Sequence, residues 1–221
     1  FPIKYQQVWK YYKNHQQAFW TAEEIDFASD MADWETLSDD EKSFIESVLA
    51  FFAGSDGIVF ENINNNFAEE IQIPEIRCYY GFQGMMENIH SEVYSIMIET
   101  YVKNQDRKDI LFNSIDKMPA IKKKADWACK WMNKDKPFSE RLVAFAIIEG
   151  IFFSGSFCSI FWLKNIKGKM IKALAKSNEL IARDESLHTE FAVYLYTSHV
   201  VNKLSQERIN EMFIEAIDIE K

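Results

Sequence analysis

The chain has 221 residues, of which 48% are hydrophobic and 27% charged, a balance typical of a globular protein with a substantial core. The 34 acidic and 25 basic residues give a formal net charge of -9, which argues against a nucleic acid or an anionic membrane surface as the partner. The three cysteines, Cys78, Cys129 and Cys158, form no CxxC pair and favour a reducing, cytoplasmic compartment.

Only seven glycines and four prolines interrupt the chain, so we predict an all-α fold made of long helices. A capping box at Ser38 and Glu41 predicts the start of one long helix, and Pro74 suits the first turn of the following helix. In chain order, the predicted helices cover 5–19, 38 through the sixties, 74 past 101, 107–118, 121–132, 139–164, 170–201 and 205 onwards. No linker divides them, so we predict a single domain over residues 1–221, with both ends lying inside a longer protein.

The most apolar segment, residues 142–163, is long enough to cross a bilayer and carries one charge, Glu149, near its middle. A helix buried on all sides within a bundle has the same appearance. Because the other predicted helices read as parts of a water-soluble protein, we interpret this segment as a core helix and expect no membrane partner.

Two of the four histidines share one context, Glu87-Asn-Ile-His90 and Glu185-Ser-Leu-His188. Residues three apart share a helix face, so each Glu and His can reach the same metal ion. A single ExxH is usually structural, but two copies on different long helices indicate a site. His15 and His199 lack the pattern, and we interpret them as surface or packing residues.

Two further acids, Asp56 and Glu149, lie inside apolar helical runs. Either could be a core carboxylate with a local partner, although the run around Glu149 offers no basic residue. Together with Glu87 and Glu185 they would place four negative charges in one cavity, which two divalent cations would neutralise. This is the ligand pattern of ferritin-like dimetal carboxylate bundles. Carboxylate and imidazole ligands without thiolates favour iron or manganese over structural zinc.

Tyr94 follows His90 by one helical turn, close enough for its phenol to meet an oxidising metal centre. An inward tyrosine is more often ordinary core. Phe153, Phe157 and Ile181 lie at helical spacing from Glu149 and Glu185, and they predict an apolar, closed surrounding that protects an oxidised tyrosine as well as packing the core.

Several segments resemble the small subunit of eukaryotic-type class I ribonucleotide reductase: FWTAEEID, AFFAGSDGIVFENI, MMENIHSEVY, IIEGIFFSGSFCSIFWLK and SNELIARDESLH. The resemblance covers nearly the whole chain. It implies a ferritin-like helical bundle, two iron ions per chain with manganese as the alternative, and reaction with dioxygen to give a tyrosyl radical. It also implies a homodimer and a large catalytic subunit that uses the radical to reduce ribonucleotides to deoxyribonucleotides for DNA synthesis.

Carried over by position, the resemblance assigns the radical to Tyr94 and a relay for it to Trp20 and Asp184. Asp184 would accept the second ring proton of His90. From the sequence alone Trp20 is a packing residue more often than a relay. The metal ligands carried over are Asp56, Glu87, His90, Glu149, Glu185 and His188. The family's redox tail that docks on the large subunit has no counterpart here, which puts the activity of this chain alone in doubt.

Three other functions fit a helical bundle of this kind. A ferritin-like protein would oxidise and store iron, and Tyr94, Trp20 and Asp184 argue against it. A dimetal monooxygenase or desaturase would need an open substrate channel. A purely structural bundle would bind no stoichiometric metal.

Overall fold

A computed structural model describes residues 1–165 and 171–221 of the chain, and all the regular elements among them are helical. The α-helices are α1 (Gln6–Gln17), α2 (Met31–Trp34), α3 (Asp39–Asn62), α4 (Ala68–Glu70), α5 (Pro74–Tyr101), α6 (Gln105–Phe112), α7 (Ser114–Lys117), α8 (Pro119–Met132), α9 (Phe138–Ile147), α10 (Phe153–Asn165), α11 (Lys172–His199) and α12 (Gln206–Glu220). Short 3₁₀ turns occupy Ala22–Glu24 and Phe27–Asp30.

The bundle is built around the long helices α3, α5, α9–α10 and α11, with α1 laid against α5. The predicted starts of two of them are confirmed. The Ser38 hydroxyl accepts a hydrogen bond from the Glu41 amide at 3.2 Å, and the Glu41 carboxylate accepts one from the Ser38 amide at 2.9 Å. Pro74 occupies the first turn of α5, where its missing N–H leaves no helical bond unmade.

The helix boundaries differ from the prediction in three places. The predicted helix 107–118 is two helices, α6 and α7. The apolar helix begins at Phe138, and a π-helical stretch at Ile148–Phe152 separates α9 from α10. A second π-helical stretch, Ile63–Phe67, follows α3. The predicted start of α11 at Met170 lies outside the described residues.

Two stretches, Asp39–Glu70 and Phe138–Lys164, are long and apolar enough to cross a membrane by length and composition alone. In the more apolar of them, Phe138–Lys164, 61% of the most apolar 18-residue segment is buried inside the protein. This burial agrees with the interpretation of residues 142–163 as a core helix, since apolar core helices pass the same test.

The beginning of α11 is held by an acid from a distant segment. Asp30 is buried, and its carboxylate accepts hydrogen bonds from the amides of Ala173 at 2.9 Å and Leu174 at 2.8 Å. The Tyr101 hydroxyl, at the end of α5, donates to the same carboxylate at 2.7 Å. Asp30 therefore joins the start of one ligand-bearing helix to the end of another.

Candidate metal centre

Six side chains from four stretches of the bundle converge in the core. Asp56 lies on α3, Glu149 lies in the π-helical stretch Ile148–Phe152, and α5 and α11 each contribute one ExxH pair. The six residues, all at most 2% exposed, are Asp56, Glu87, His90, Glu149, Glu185 and His188. The structure therefore brings together every residue that the sequence suggested as a ligand.

The six residues form two groups that share Glu87. In the first group, one potential ligand atom from each of Glu87, Glu149, Glu185 and His188 lies within 4.8 Å of the others. In the second group, atoms of Asp56, Glu87 and His90 satisfy the same limit. Two such groups with a common carboxylate are what a dinuclear centre with a bridging ligand requires.

Both ExxH histidines turn Nδ1 toward the carboxylates. Nδ1 of His90 lies 3.1 Å from Oε1 of Glu185 and 3.4 Å from Oε2 of Glu87. Nδ1 of His188 lies 3.1 Å from both Oε1 of Glu87 and Oε2 of Glu185. Each histidine thus faces carboxylates from both ExxH helices, so α5 and α11 contribute to one site.

Burial and mutual repulsion perturb the acids of the cluster. Burial and the charge of Glu87 raise the pKa of Asp56 well above its usual value, and burial and Glu185 do the same to the pKa of Glu149. Burial would also raise the pKa of Glu185, but the His188 charge and hydrogen bonds from its neighbours bring it well below its usual value. These shifts oppose full ionisation of the four carboxyl groups when no cation is bound.

The histidines of the cluster are perturbed in the opposite way to ordinary buried histidines. Burial alone would lower both pKa values, but the surrounding carboxylates raise the pKa of His90 and of His188 well above the usual value. Positive charge is stabilised in this cavity, and metal cations can supply it in place of protons.

Several ligand atoms in the cavity make no hydrogen bond of acceptable geometry with the described residues, although some of them lie within ion-pair distance of one another. These buried atoms are Oδ2 of Asp56, Oε2 of Glu87, Nδ1 of His90, Oε2 of Glu149 and Oε1 of Glu185. A buried polar atom left unpaired is costly, and carboxylate oxygens and a ring nitrogen facing each other are suitable ligands for divalent cations. The donor set present therefore fits a two-metal centre.

Gln83, which the sequence analysis missed, braces this cavity. It is fully buried one turn before Glu87, and its Nε2 donates to Oε1 of Glu87 and to Oε1 of Glu149, each at 3.2 Å. Gln83 precedes Glu87 by four residues, and this spacing could have placed it on the same helix face as the candidate ligand. The bonds leave the second oxygen of each carboxylate free to face the cavity.

Tyr94 lies beside the cluster in an aromatic enclosure. Its ring stacks on Phe52 at 4.7 Å between centroids, and Phe52 in turn contacts Phe153 at 5.7 Å and Phe157 at 4.8 Å. Burial and the nearby charge of Asp56 raise the pKa of Tyr94 well above its usual value. The Tyr94 hydroxyl has no hydrogen-bond partner among the described residues.

Part of the predicted apolar enclosure is present, since Phe153 and Phe157 contact Phe52, which stacks on Tyr94. Phe153, Phe157 and Ile181 are all buried, as expected. Phe52, which contacts Tyr94 most directly, was not singled out from the sequence, although it precedes Asp56 by one helical turn.

A chain of hydrogen bonds leads from His90 in the cluster to Trp20, which lies shortly after the end of α1. Asp184 Oδ2 lies 3.1 Å from Nε2 of His90 and accepts from Nε1 of Trp20 at 2.7 Å. Arg183 donates to the other Asp184 oxygen at 3.1 Å. Burial would raise the pKa of Asp184, but the bonds from His90 and Trp20 lower it. The contacts expected of Trp20 and Asp184 are therefore present.

His15 is the second residue that the sequence analysis undervalued. It is 1% exposed, and its Nε2 lies 3.2 Å from Nε2 of the candidate ligand His188. Burial and the neighbouring His188 lower the pKa of His15 to about 3. The interpretation of His15 as a packing residue is incomplete, because its ring contacts the cluster. His199 contacts Tyr194 and Tyr5 and lies outside the cluster.

Comparison with known proteins gives a consistent result. The profile of the family described as "Ribonucleotide reductase, small chain" matches residues 1–221. The "Ribonucleoside-diphosphate reductase small chain" of Spisula solidissima is 57% identical over 221 residues, and the "Ribonucleoside-diphosphate reductase subunit M2" of Homo sapiens is 54% identical over 222 residues. The structure also resembles that of the ribonucleotide reductase Rnr4 homodimer from Saccharomyces cerevisiae, with a TM-score of 0.90 and 41% identity.

The matches cover all of this chain but only part of each relative. The chain spans 57% of the Spisula protein, 56% of the human protein and 69% of the yeast chain.

Proposed function

The chain belongs to the ribonucleotide reductase small-chain family, and we propose that it is the radical-bearing small subunit of a ribonucleoside-diphosphate reductase. In this proposal the radical resides on Tyr94 and is used by a large catalytic subunit to reduce ribonucleotides to deoxyribonucleotides for DNA synthesis. The observation that carries the proposal is the position of a buried phenol, which has no hydrogen-bond partner among the described residues, beside a cluster of four carboxylates and two imidazoles.

The residues that would hold the metal are the six of the cluster, and Glu87 belongs to both groups of candidate ligands. We propose iron, because the family resemblance favours it, while the ligands accept manganese equally well. When bound, the two ions supply the redox chemistry with dioxygen that oxidises the tyrosine. Gln83 holds one oxygen each of Glu87 and Glu149, so it orients these carboxylates toward the cavity.

Tyr94 is suited to hold a long-lived radical because of what surrounds it. Its raised pKa keeps the phenol protonated, so loss of an electron must be accompanied by loss of the proton. Among the nearby acids, Asp56 has the largest effect on the pKa of Tyr94. The rings of Phe52, Phe153 and Phe157 form an apolar wall on this side of Tyr94.

The hydrogen bonds from Trp20 through Asp184 to His90 support a path for moving the radical between the cluster and the large subunit. Arg183 braces Asp184 from the other side, which keeps the carboxylate aligned between indole and imidazole. We propose that the protein forms a homodimer, since the similar yeast structure is described as one. We also propose that it is cytoplasmic.

Electron paramagnetic resonance (EPR) after addition of ferrous iron and dioxygen tests the proposal. We expect a tyrosyl signal in the unaltered protein and its loss in Tyr94→Phe. Tyr80→Phe is the matched control, since Tyr80 lies on the same helix, is fully buried and has a hydroxyl that makes no hydrogen bond to the part of the chain that the structure describes.

The signal should persist in Tyr80→Phe, because Tyr80 stacks on Phe67, away from the Phe52 enclosure. A protein that takes up and oxidises iron without any tyrosyl signal would instead be an iron-storage protein. A signal that survives in Tyr94→Phe would place the radical elsewhere.

A further inference from the structure

The two candidate ligand histidines have different outer partners. In both rings Nδ1 faces the carboxylates of the cluster, and Nε2 points away from it. Nε2 of His90 meets the Asp184 carboxylate at 3.1 Å, whereas Nε2 of His188 meets the imidazole of His15 at 3.2 Å. The two histidines have the same orientation relative to the cluster, but the outer partner of His90 is a carboxylate and that of His188 is an imidazole.

His15 is held firmly in its position. It lies near the end of α1, where its ring packs on Tyr79 at 5.3 Å and on Phe82 at 4.9 Å between centroids. Tyr79 is itself fixed, because its hydroxyl donates to the Leu187 carbonyl at 3.0 Å. A ring enclosed in this way presents Nε2 to His188 with little freedom to turn.

The surroundings favour a neutral His15 ring. Aromatic rings flank His15, and a second imidazole lies at contact distance, so a positive charge on His15 is disfavoured. A neutral imidazole has one donor and one acceptor nitrogen. When Nδ1 of His188 serves as a metal ligand, its Nε2 carries the hydrogen and requires an acceptor, which Nε2 of His15 supplies.

We propose that His15 is a positioning residue that accepts the Nε2 hydrogen of His188, fixes Nδ1 as the metal-binding nitrogen and makes the two metal positions unequal. The inference rests on the proposed two-metal site. A carboxylate partner raises the basicity of a histidine ligand more than a neutral imidazole does. The ion on the His188 side should therefore depend on the His15 acceptor, whereas the ion on the His90 side should depend on Asp184.

Titration of the metal-free protein with Mn²⁺ tests this inference, with free Mn²⁺ measured by EPR. We expect two ions per chain in the unaltered protein, bound in two resolvable steps. His15→Phe keeps an aromatic ring but removes the acceptor, so one of the two steps should lose about 10–100-fold in affinity while the other is unchanged.

Three further variants separate positioning from packing. His15→Gln offers an amide oxygen as acceptor and should recover most of the lost affinity. Asp184→Asn should instead weaken the step that His15→Phe leaves unchanged, because it removes the charged partner of His90. His199→Phe, which changes a histidine outside the cluster, should leave both steps unchanged.

The outcomes are distinguishable. If the unaltered protein binds fewer than two ions, the proposed metal site fails and this inference fails with it. If two ions bind and His15→Phe leaves both affinities unchanged, only the role of His15 is overturned. Equal weakening in His15→Phe and His15→Gln, with circular dichroism showing both folded, would also overturn it, because packing alone would then explain the loss.

Discussion

At the scale of single residues, Tyr79 and Tyr94 differ in the state of their hydroxyl groups. Both are buried on α5, but Tyr79 donates to the Leu187 carbonyl, whereas Tyr94 has no hydrogen-bond partner among the described residues. An unsatisfied buried hydroxyl is destabilising, while a satisfied one contributes modestly to stability. The same change, tyrosine to phenylalanine, should therefore have opposite effects at the two positions.

We expect Tyr94→Phe to raise the free energy of unfolding of the metal-free protein by about 1 kcal/mol, and Tyr79→Phe to lower it by about 1 kcal/mol. Urea unfolding followed by circular dichroism measures both. Destabilisation by Tyr94→Phe as large as that by Tyr79→Phe would show that the Tyr94 hydroxyl has a partner in solution.

Some residues of the candidate site can be predicted from the sequence, and others cannot. The two ExxH pairs could be found because helical spacing alone places a glutamate and a histidine on one face. Gln83 and Phe52 follow the same four-residue rule but carry no distinctive chemistry, so spacing alone did not separate them from core residues. His15 could not be found in this way, because it reaches His188 through the packing of α1 on the bundle.

At the scale of secondary-structure elements, the helix starts were the most predictable feature and internal irregularities the least. The capping box at Ser38 and the proline at position 74 act through their immediate neighbours, so local sequence was sufficient. The π-helical stretch Ile148–Phe152 has no such local signature. It includes Glu149, and π-helical turns occur often at functional sites, where they re-aim a side chain.

The start of α11 offers a second element-scale test. Ile171, which precedes the helix, provides no side-chain cap, and Asp30 accepts the amide hydrogen bonds of Ala173 and Leu174 in its place. Asp30→Ala would leave these buried donors unpaired. We expect a loss of roughly 3 kcal/mol in the free energy of unfolding.

Denaturant unfolding compares this variant with Asp26→Ala, at an exposed acid four residues earlier that makes no capping bond. Asp26→Ala should change stability by less than about 0.5 kcal/mol. Equal effects from the two variants would exclude Asp30 as the cap of α11.

At the scale of the whole molecule, the buried cluster should couple metal binding to pH. The pKa values of Asp56, Glu149, His90 and His188 are raised, so the folded metal-free protein holds protons that the unfolded chain releases. Stability from such groups is present at low pH and is lost as the pH rises. Glu185, with its lowered pKa, acts in the opposite direction, at more acidic pH.

We therefore expect the melting temperature of the metal-free protein to fall between about pH 6 and about pH 8, and that of the Mn²⁺-loaded protein to change less, because cations replace the bound protons. Differential scanning calorimetry with and without Mn²⁺ measures this. Glu149→Gln removes one titrating group and should flatten the metal-free profile. A melting temperature that rises over this range without metal would contradict the assigned pKa directions.

The overall architecture was predictable because it depends on features repeated along the chain. Few helix breakers and long apolar periodicities indicate a helical bundle, and the doubled ExxH indicates which helices face each other. The contacts that join distant segments, such as Asp30 with α11 and Trp20 with Asp184, depend on the packed structure. The resemblance suggested the second of these, whereas nothing in the sequence pattern suggested the first.

The central claim is that the cluster is a two-metal centre next to Tyr94, and anomalous X-ray diffraction from Mn²⁺-loaded crystals tests it most directly. We predict two anomalous peaks per chain. One should be bounded by Glu87, Glu149, Glu185 and His188, and the other by Asp56, Glu87 and His90. A single peak, no peak, or peaks away from these six side chains would contradict the account.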